Sequence, residues 1–130
     1  EKIILPVDVR VRRGTEVSIK KPDELNKEDE IIDVGVDSLE QLGEAVAMAK
    51  FILWNGPVGR FEFGFKGGTD AVAKMVAEAE AYSIIGGGDT LAAIRDLNLL
   101  DKFDFISTAG GAMLDFLAEG TLPGIEALQA

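Results

Sequence analysis

In the second half of the chain one pattern recurs three times. A short apolar run meets a cluster of small residues rich in glycine, and a stretch of helical periodicity follows. Phe51-Ile52-Leu53-Trp54 leads into Asn55-Gly56-Pro57-Val58-Gly59, Tyr82-Ser83-Ile84-Ile85 into Gly86-Gly87-Gly88-Asp89-Thr90, and Phe103-Asp104-Phe105-Ile106 into Ser107-Thr108-Ala109-Gly110-Gly111. Apolar runs this short, closed by glycine, read as buried strands. Helices are expected over about 69–81, 89–97 and 110–119, and the first sets Ala71, Val72, Met75, Val76 and Ala79 on one face. Strands alternating with helices imply a parallel sheet with right-handed crossovers. In such a sheet the strand-to-helix turns open at the carboxyl edge, where ligands bind. The three glycine-rich turns are therefore expected side by side.

The first half is less regular. Residues 3–11 begin as a continuous apolar run and then alternate, which predicts a strand, counted with the parallel set near 3–9. Pro6 lacks an amide donor and marks an edge or an irregular region. Arg12-Arg13-Gly14 reads as a turn, and 15–19 alternates like the second arm of a hairpin. The charged stretch 20–30 reads as a surface loop and 30–35 as a short extended segment. Ser38 and Gln41 have the S-x-x-Q spacing of a capping box, so a helix is expected to begin there, with Leu39, Leu42, Val46 and Ala49 on one face. The chain opens on Glu1, directly before an apolar run, which reads as a cut within a domain.

Composition restricts the chemistry more than the fold. A length of 130 residues with 47% hydrophobic side chains suits one domain with a real core. The formal net charge of -10 disfavours nucleic acid, whose phosphates need a basic face. A small phosphate ligand is still compatible, because backbone N–H groups hold phosphate without Lys or Arg. Cys and His are absent, which excludes disulfides, Cys/His zinc sites, thiol nucleophiles and Ser-His-Asp chemistry. No apolar run approaches the roughly 18 residues of a membrane span, and no signal peptide is visible. The expectation is a soluble, cytoplasmic protein with neither nucleic acid nor membrane as partner.

Candidate chemistry gathers in the turns. At Gly86 to Thr90, three glycines leave no side chain to keep a ligand from the backbone, and the helix start adds free N–H groups and a positive dipole end. Thr90 can add a hydroxyl to a phosphate or metal. Asp89 would repel a bare phosphate, so a carboxylate here suggests Mg²⁺ between the two. The plainer alternative is a tight turn with Asp89 as a helix cap, and the sequence leaves both open. Ser107 to Gly111 is a second anion-ready helix start, or simply a capped helix packed closely on its strand. In the longest turn Asn55 sits at a strand end, Pro57 and Val58 offer an apolar wall for a flat base, and Glu62 can accept from two ribose hydroxyls; the bland alternative is a turn with a solvent-exposed Glu. Neither G-x-x-x-x-G-K-[ST] nor a G-x-G-x-x-G after a strand is present. Phosphoryl transfer needs cations, yet around these turns only Arg60 is basic, with Lys66 nearby. A kinase built on them must import its cationic clamp.

Taken in order, Leu5-Pro6-Val7-Asp8, Trp54-Asn55-Gly56-Pro57-Val58-Gly59 with Phe61-Glu62, Gly86 to Thr90, Ser107-Thr108 with Gly110-Gly111, and Leu122-Pro123-Gly124-Ile125 resemble the phosphoglycerate kinase family. The resemblance covers the latter part of that family's C-terminal, nucleotide-binding domain. It implies a three-layer α/β/α fold with a mainly parallel, Rossmann-like sheet and a small hairpin, an incomplete domain over 1–130, and an N-terminal substrate domain that is absent. It implies a glycolytic transfer of a phosphoryl group between 1,3-bisphosphoglycerate and ADP with Mg²⁺, the ATP/3-phosphoglycerate direction included. Phosphoglycerate would bind through the missing domain, so this chain alone is expected to be inactive. By position, Asn55 and Glu62 would hold the nucleotide, Pro57 and Ile32 would flank the base, and Gly87, Gly88, Asp89 and Thr90 would hold phosphates and metal. Gly110 and Gly111 would donate backbone N–H groups to the migrating phosphoryl group. Family members usually carry a third glycine where Ala109 stands, and a small apolar residue where Arg60 stands. The competing expectation is a stand-alone nucleotide-binding or regulatory module that kept the fold and lost the chemistry.

Overall fold

A two-residue turn at Gly14-Thr15 organises the first part of the molecule. It joins β1 (Val9–Arg13) to β2 (Glu16–Lys20), with Arg13 opposite Glu16 and Val9 opposite Lys20. A connection this short can only link antiparallel strands. β3 (Glu30–Val34) pairs with the other side of β1, also antiparallel, with a register shift between Arg10 and Val11. The computed structural model describes residues 3–129. Glu1, expected to stand directly before a strand, lies outside them.

The expected hairpin is therefore present, but it is two arms of a three-stranded sheet ordered β2-β1-β3. The parallel strand expected near 3–9 is a misassignment. Residues 3–8 belong to no strand, and the strand that follows, Val9–Arg13, is antiparallel. Pro6 cannot donate to a ladder, and the tight turn after Arg13 fixes the direction of pairing. The 20–30 segment is a loop with one short 3-10 turn, Pro22–Glu24. Asp29 ties it back to the hairpin, accepting from Lys20 Nζ at 2.7 Å, pairing with Arg13 at 2.9 Å and accepting from Asn26 N at 2.9 Å. The Lys20 bond, then that from Asn26, holds its carboxyl well below the usual carboxylate range.

The second sheet is parallel and runs β4 (Phe51–Asn55), β5 (Tyr82–Gly86), β6 (Phe105–Ile106). Each strand enters its glycine turn and then a helix: α2 (Gly67–Glu78), α3 (Gly88–Asp96) and α4 (Gly110–Glu119). These are the helices expected, shifted by at most a few residues at their ends. α1 (Val36–Met48) precedes β4, and a short α5 (Pro123–Gln129), not foreseen, closes the described chain with proline at its first position. Val46, Trp54, Val72, Ala73, Val76, Ile85, Ile94 and Phe103 form the core, so α1, α2 and α3 cover one sheet face. α4 lies on the other, where Met113, Phe116 and Leu117 share a cavity of about 390 Å³ with Ile84 and Phe105. That makes three layers. Much of this second face is open: Phe51 is 57% and Phe105 53% exposed. Among the described residues no helix is long and apolar enough to cross a membrane.

The capping box expected at Ser38 does not form. α1 begins two residues earlier, with Gly35 as its N-cap, and the Ser38 hydroxyl is taken by distant chain. It donates to Asp8 Oδ1 at 2.7 Å and accepts from Val7 N and Asp8 N at 3.0 Å. Asp8 itself caps the helix from outside, accepting from Ser38 N at 2.8 Å and Asp37 N at 3.2 Å. Burial pushes the Asp8 carboxyl up. The hydrogen bonds from Ser38, Asp37 and Val36 outweigh it and hold the group below its ordinary value.

Candidate functional site at the glycine edge

Two of the longest helices start against a carboxylate borrowed from distant chain, one just before β1 and one within β3. Asp8 fills the start of α1, and Asp33 Oδ2 accepts from Gly68 N in the first turn of α2 at 2.9 Å. The starts of α3 and α4 are different: neither has a side-chain cap. Their first N–H groups carry a partial positive charge; α4 has no acid in its first turn, and in α3 only the exposed Asp89 stands there. These are the two helices that follow the Gly86–Gly88 and Gly110–Gly111 clusters.

Both starts lie together. A Cβ built on Gly110 would stand 2.8 Å from Gly87 Cα and N, and one on Gly87 would stand 3.4 Å from Gly56 N. The three glycine turns thus meet on one edge, as their sequence order predicts. Gly56 and Gly87 take φ of +110° and +93°, which side chains with a Cβ rarely adopt. Gly88 and Gly111 have open space where a Cβ would be, so the N-terminal faces of both helices are unobstructed.

Two side chains brace the meeting point. Thr90 is fully buried, and its Oγ1 accepts from Gly56 N at 2.9 Å. Trp54 Nε1 donates to Gly56 O at 2.8 Å. Thr90 was expected to reach a phosphate or metal; here its oxygen joins the first turn to the second. Asn55 ends β4 with its Oδ1 buried, without a hydrogen-bond partner among the described residues, and close to both Gly86 and Gly110. A buried polar atom left unpaired costs roughly 1–3 kcal/mol, so it marks a place prepared for a donor.

Asp89 settles one alternative left open by the sequence. The N-cap of α3 is Gly87, and Asp89 lies exposed in the first turn without capping its own helix. Glu62 is exposed in the 3-10 turn Phe61–Phe63, and Pro57 is half-buried beside it in the longest turn. Ile32, expected to flank a base, is 1% exposed. Its carbonyl accepts from Arg60 N at 2.9 Å, so Ile32 underlies the loop instead of lining an open slot. Arg60 pairs with Glu30 and lies over the Phe63 ring at 4.1 Å. Lys66 pairs with Asp96 at 3.0 Å and lies over Phe61 at 4.7 Å. Both local cations are engaged away from the glycine edge.

Sequence reasoning missed Asp33 and the bracing part of Trp54. The signal for Asp33 was present: a lone acid inside the apolar run Ile31-Ile32-Asp33-Val34 has to be satisfied if that run is buried.

Fold and edge together define a class: a three-layer α/β protein in which uncapped helix starts converge at the carboxyl ends of parallel strands. The chain matches the phosphoglycerate kinase family over residues 1–120 and belongs to it. Among solved structures it is similar to phosphoglycerate kinase from Coxiella burnetii, with 44% identity and a TM-score of 0.84 over 97% of this chain. It is also similar to phosphoglycerate kinase from Pyrococcus horikoshii OT3, with 36% identity and a TM-score of 0.80 over 95% of this chain. The matches take up 34% and 32% of those chains, so this chain spans about a third of their length.

Proposed function

We propose that this chain is the latter part of the C-terminal, nucleotide-binding domain of a kinase that moves a phosphoryl group between 1,3-bisphosphoglycerate and ADP. The observation that carries the proposal is the meeting of two uncapped helix starts at Gly87–Gly88 and Gly110–Gly111. One start suits the phosphates of a bound nucleotide, the other the phosphoryl group in flight. Family membership supports ATP and ADP as the nucleotides, and a cytoplasmic place goes with that reading.

Each residue then has a task. Gly87 and Gly88 offer backbone N–H groups to the nucleotide phosphates, with Thr90 holding their turn against Gly56. Asn55 meets the nucleotide with an acceptor that has no partner among the described residues. Glu62 accepts from ribose hydroxyls, and Pro57 supplies the apolar wall for the base, with Ile32 supporting the loop from beneath. Gly110 and Gly111 donate to the transferring group. No group of three or more acidic side chains is placed to hold a metal ion by itself among the described residues. A magnesium ion shared with substrate phosphates needs only one or two carboxylates, and exposed Asp89 fits that donor set. When bound, the metal would neutralise charge on the phosphates.

What this chain does not offer is a cationic clamp, since Arg60 and Lys66 are paired elsewhere. Phosphoglycerate and the positive charge for the transition state belong to other parts of the enzyme, and the 130-residue chain alone is expected to give no turnover. The test is a coupled assay at saturating Mg²⁺, on the purified chain and on a full-length kinase carrying it, with and without Asp89→Ala. We expect no activity from the chain, and in the mutant kinase a kcat that falls further than KM rises. Turnover by the chain, or a near wild-type kcat for the mutant, refutes the proposal.

A further inference from the structure

We propose that Asp33 is a positioning residue that sets the nucleotide loop, residues 55–62, from the antiparallel sheet; this rests on the functional reading above. Asp33 is 4% exposed, yet it is an acid in the middle of a packed interface. Its two oxygens are both used. Oδ1 accepts from Val34 N and Oδ2 from Gly68 N, each at 2.9 Å. The carboxylate also fills the space beside Gly59 and Gly68: a Cβ on Gly59 would stand 2.6 Å from Oδ1, and one on Gly68 would stand 2.3 Å from it. One side chain of β3 therefore touches both the end of the glycine turn after β4 and the start of α2.

The loop has two further attachments at the same place. Thr69, the next residue of α2, is fully buried and accepts from Val58 N at 3.3 Å. Arg60 N donates to Ile32 O at 2.9 Å, on the residue just before Asp33. Gly59 sits between these attachments and has no room for a side chain, since a Cβ there would also stand 2.7 Å from Phe65 O. Asp33 thus fixes where α2 begins, and α2 with β3 fixes where Val58, Gly59 and Arg60 run. Asn55 and Pro57 precede that pinned stretch and Glu62 follows it.

The chemistry asks for a carboxylate. Both neighbours, Val34 N–H and Gly68 N–H, are donors, so an amide at this position would set its NH₂ against one of them in either orientation. Asp33→Asn keeps the volume and breaks this one requirement. In a full-length kinase carrying the chain, we expect it to raise the nucleotide KM about tenfold, the scale of one charge-assisted hydrogen bond. KM for phosphoglycerate should stay unchanged. Asp8→Asn is the matched comparison, because Asp8 is a buried carboxylate just before β1 that caps α1 and not α2. It should lower thermal stability without moving the nucleotide KM. If Asp33→Asn does not fold, Gly59→Ala presses on the same contact from the other side and should give the same nucleotide-specific rise. An Asp33→Asn or Gly59→Ala kinase that folds with wild-type nucleotide KM overturns the proposal, as does an equal rise in Asp8→Asn. Glu62→Gln separates the two layers. If it raises nucleotide KM while Asp33→Asn does not, the positioning role alone is lost; if neither does, the loop's nucleotide role falls and the proposal with it.

Discussion

Replacing Gly110 with alanine probes the close approach of two glycine turns, backbone against backbone. The new Cβ would lie 2.8 Å from both Cα and N of Gly87 and 3.0 Å from Asn55 Oδ1. Ordinary contact begins near 3.4 Å, so the two turns must part by roughly 0.6 Å, the difference between those distances. Both sides of the contact are backbone at Gly87, so rotation of a side chain cannot relieve it. Overpacking of this kind costs about 1–3 kcal/mol, which lowers the melting temperature by a few degrees. Gly111→Ala is the internal comparison. It adds the same methyl one residue later in the same helix, into open space, where alanine gains up to about 1 kcal/mol over glycine. Thermal unfolding of both variants in a full-length kinase should therefore give shifts of opposite sign. The kinetic consequence is larger. Parting the two helix starts misplaces groups aimed at the transferring phosphoryl, and an error near 1 Å costs up to about a hundredfold in rate. Gly110→Ala should lose most of its kcat. If both variants melt and turn over alike, the packing of the two turns does not set the geometry of the site.

Glu62→Gln should weaken nucleotide binding by about 1–2 kcal/mol, since a neutral amide still accepts once; calorimetry with ADP measures it, and equal weakening of phosphoglycerate would remove the ribose role. Asp8→Asn should destabilise the fold at neutral pH by about 1 kcal/mol, as loss of a helix cap does. Because the folded state holds the Asp8 carboxyl below its unfolded value, its contribution is present above about pH 4 and fades as pH falls through the lower folded value. Denaturant midpoints of wild type and Asp8→Asn should accordingly converge on acidification; a gap that stays constant would show that ionisation of Asp8 is not the source.

The second half of the fold was legible because three kinds of signal agree there. Short apolar runs, glycine clusters and helical periodicity coincide at Trp54–Gly59, Ile85–Thr90 and Ile106–Gly111, and each signal has a local cause. The first half depended on pairing, which sequence does not display. Ile3-Ile4-Leu5 has the composition of a buried strand, yet residues 3–8 join no strand ladder because Pro6 interrupts the pairing and the Gly14-Thr15 turn lies farther on. Ser38 had the spacing of a capping box, but its hydroxyl finds Asp8 some thirty residues away. Tertiary hydrogen bonds of this kind override local propensity without leaving a periodic trace. At the site, the convergence of the turns followed from topology alone. The uncapped state of α3 and α4 and the buried oxygen of Asn55 could only be found with the strands in register.

The pairing of Arg60 with Glu30 and of Lys66 with Asp96 also bears on how a ligand arrives. With a formal net charge of -10, this segment repels a polyanion at long range. The helix starts that attract it act only within about a turn of their ends, and solvent screens charge beyond about 8 Å at physiological ionic strength. Capture and retention are therefore governed by opposite fields. On the approach, added salt should speed encounter with this surface by damping the repulsion. Once the phosphates are seated against backbone N–H groups, the same salt should change the escape rate little. A plot of association rate against ionic strength for this segment should slope upward, the reverse of that for a site lined with lysines.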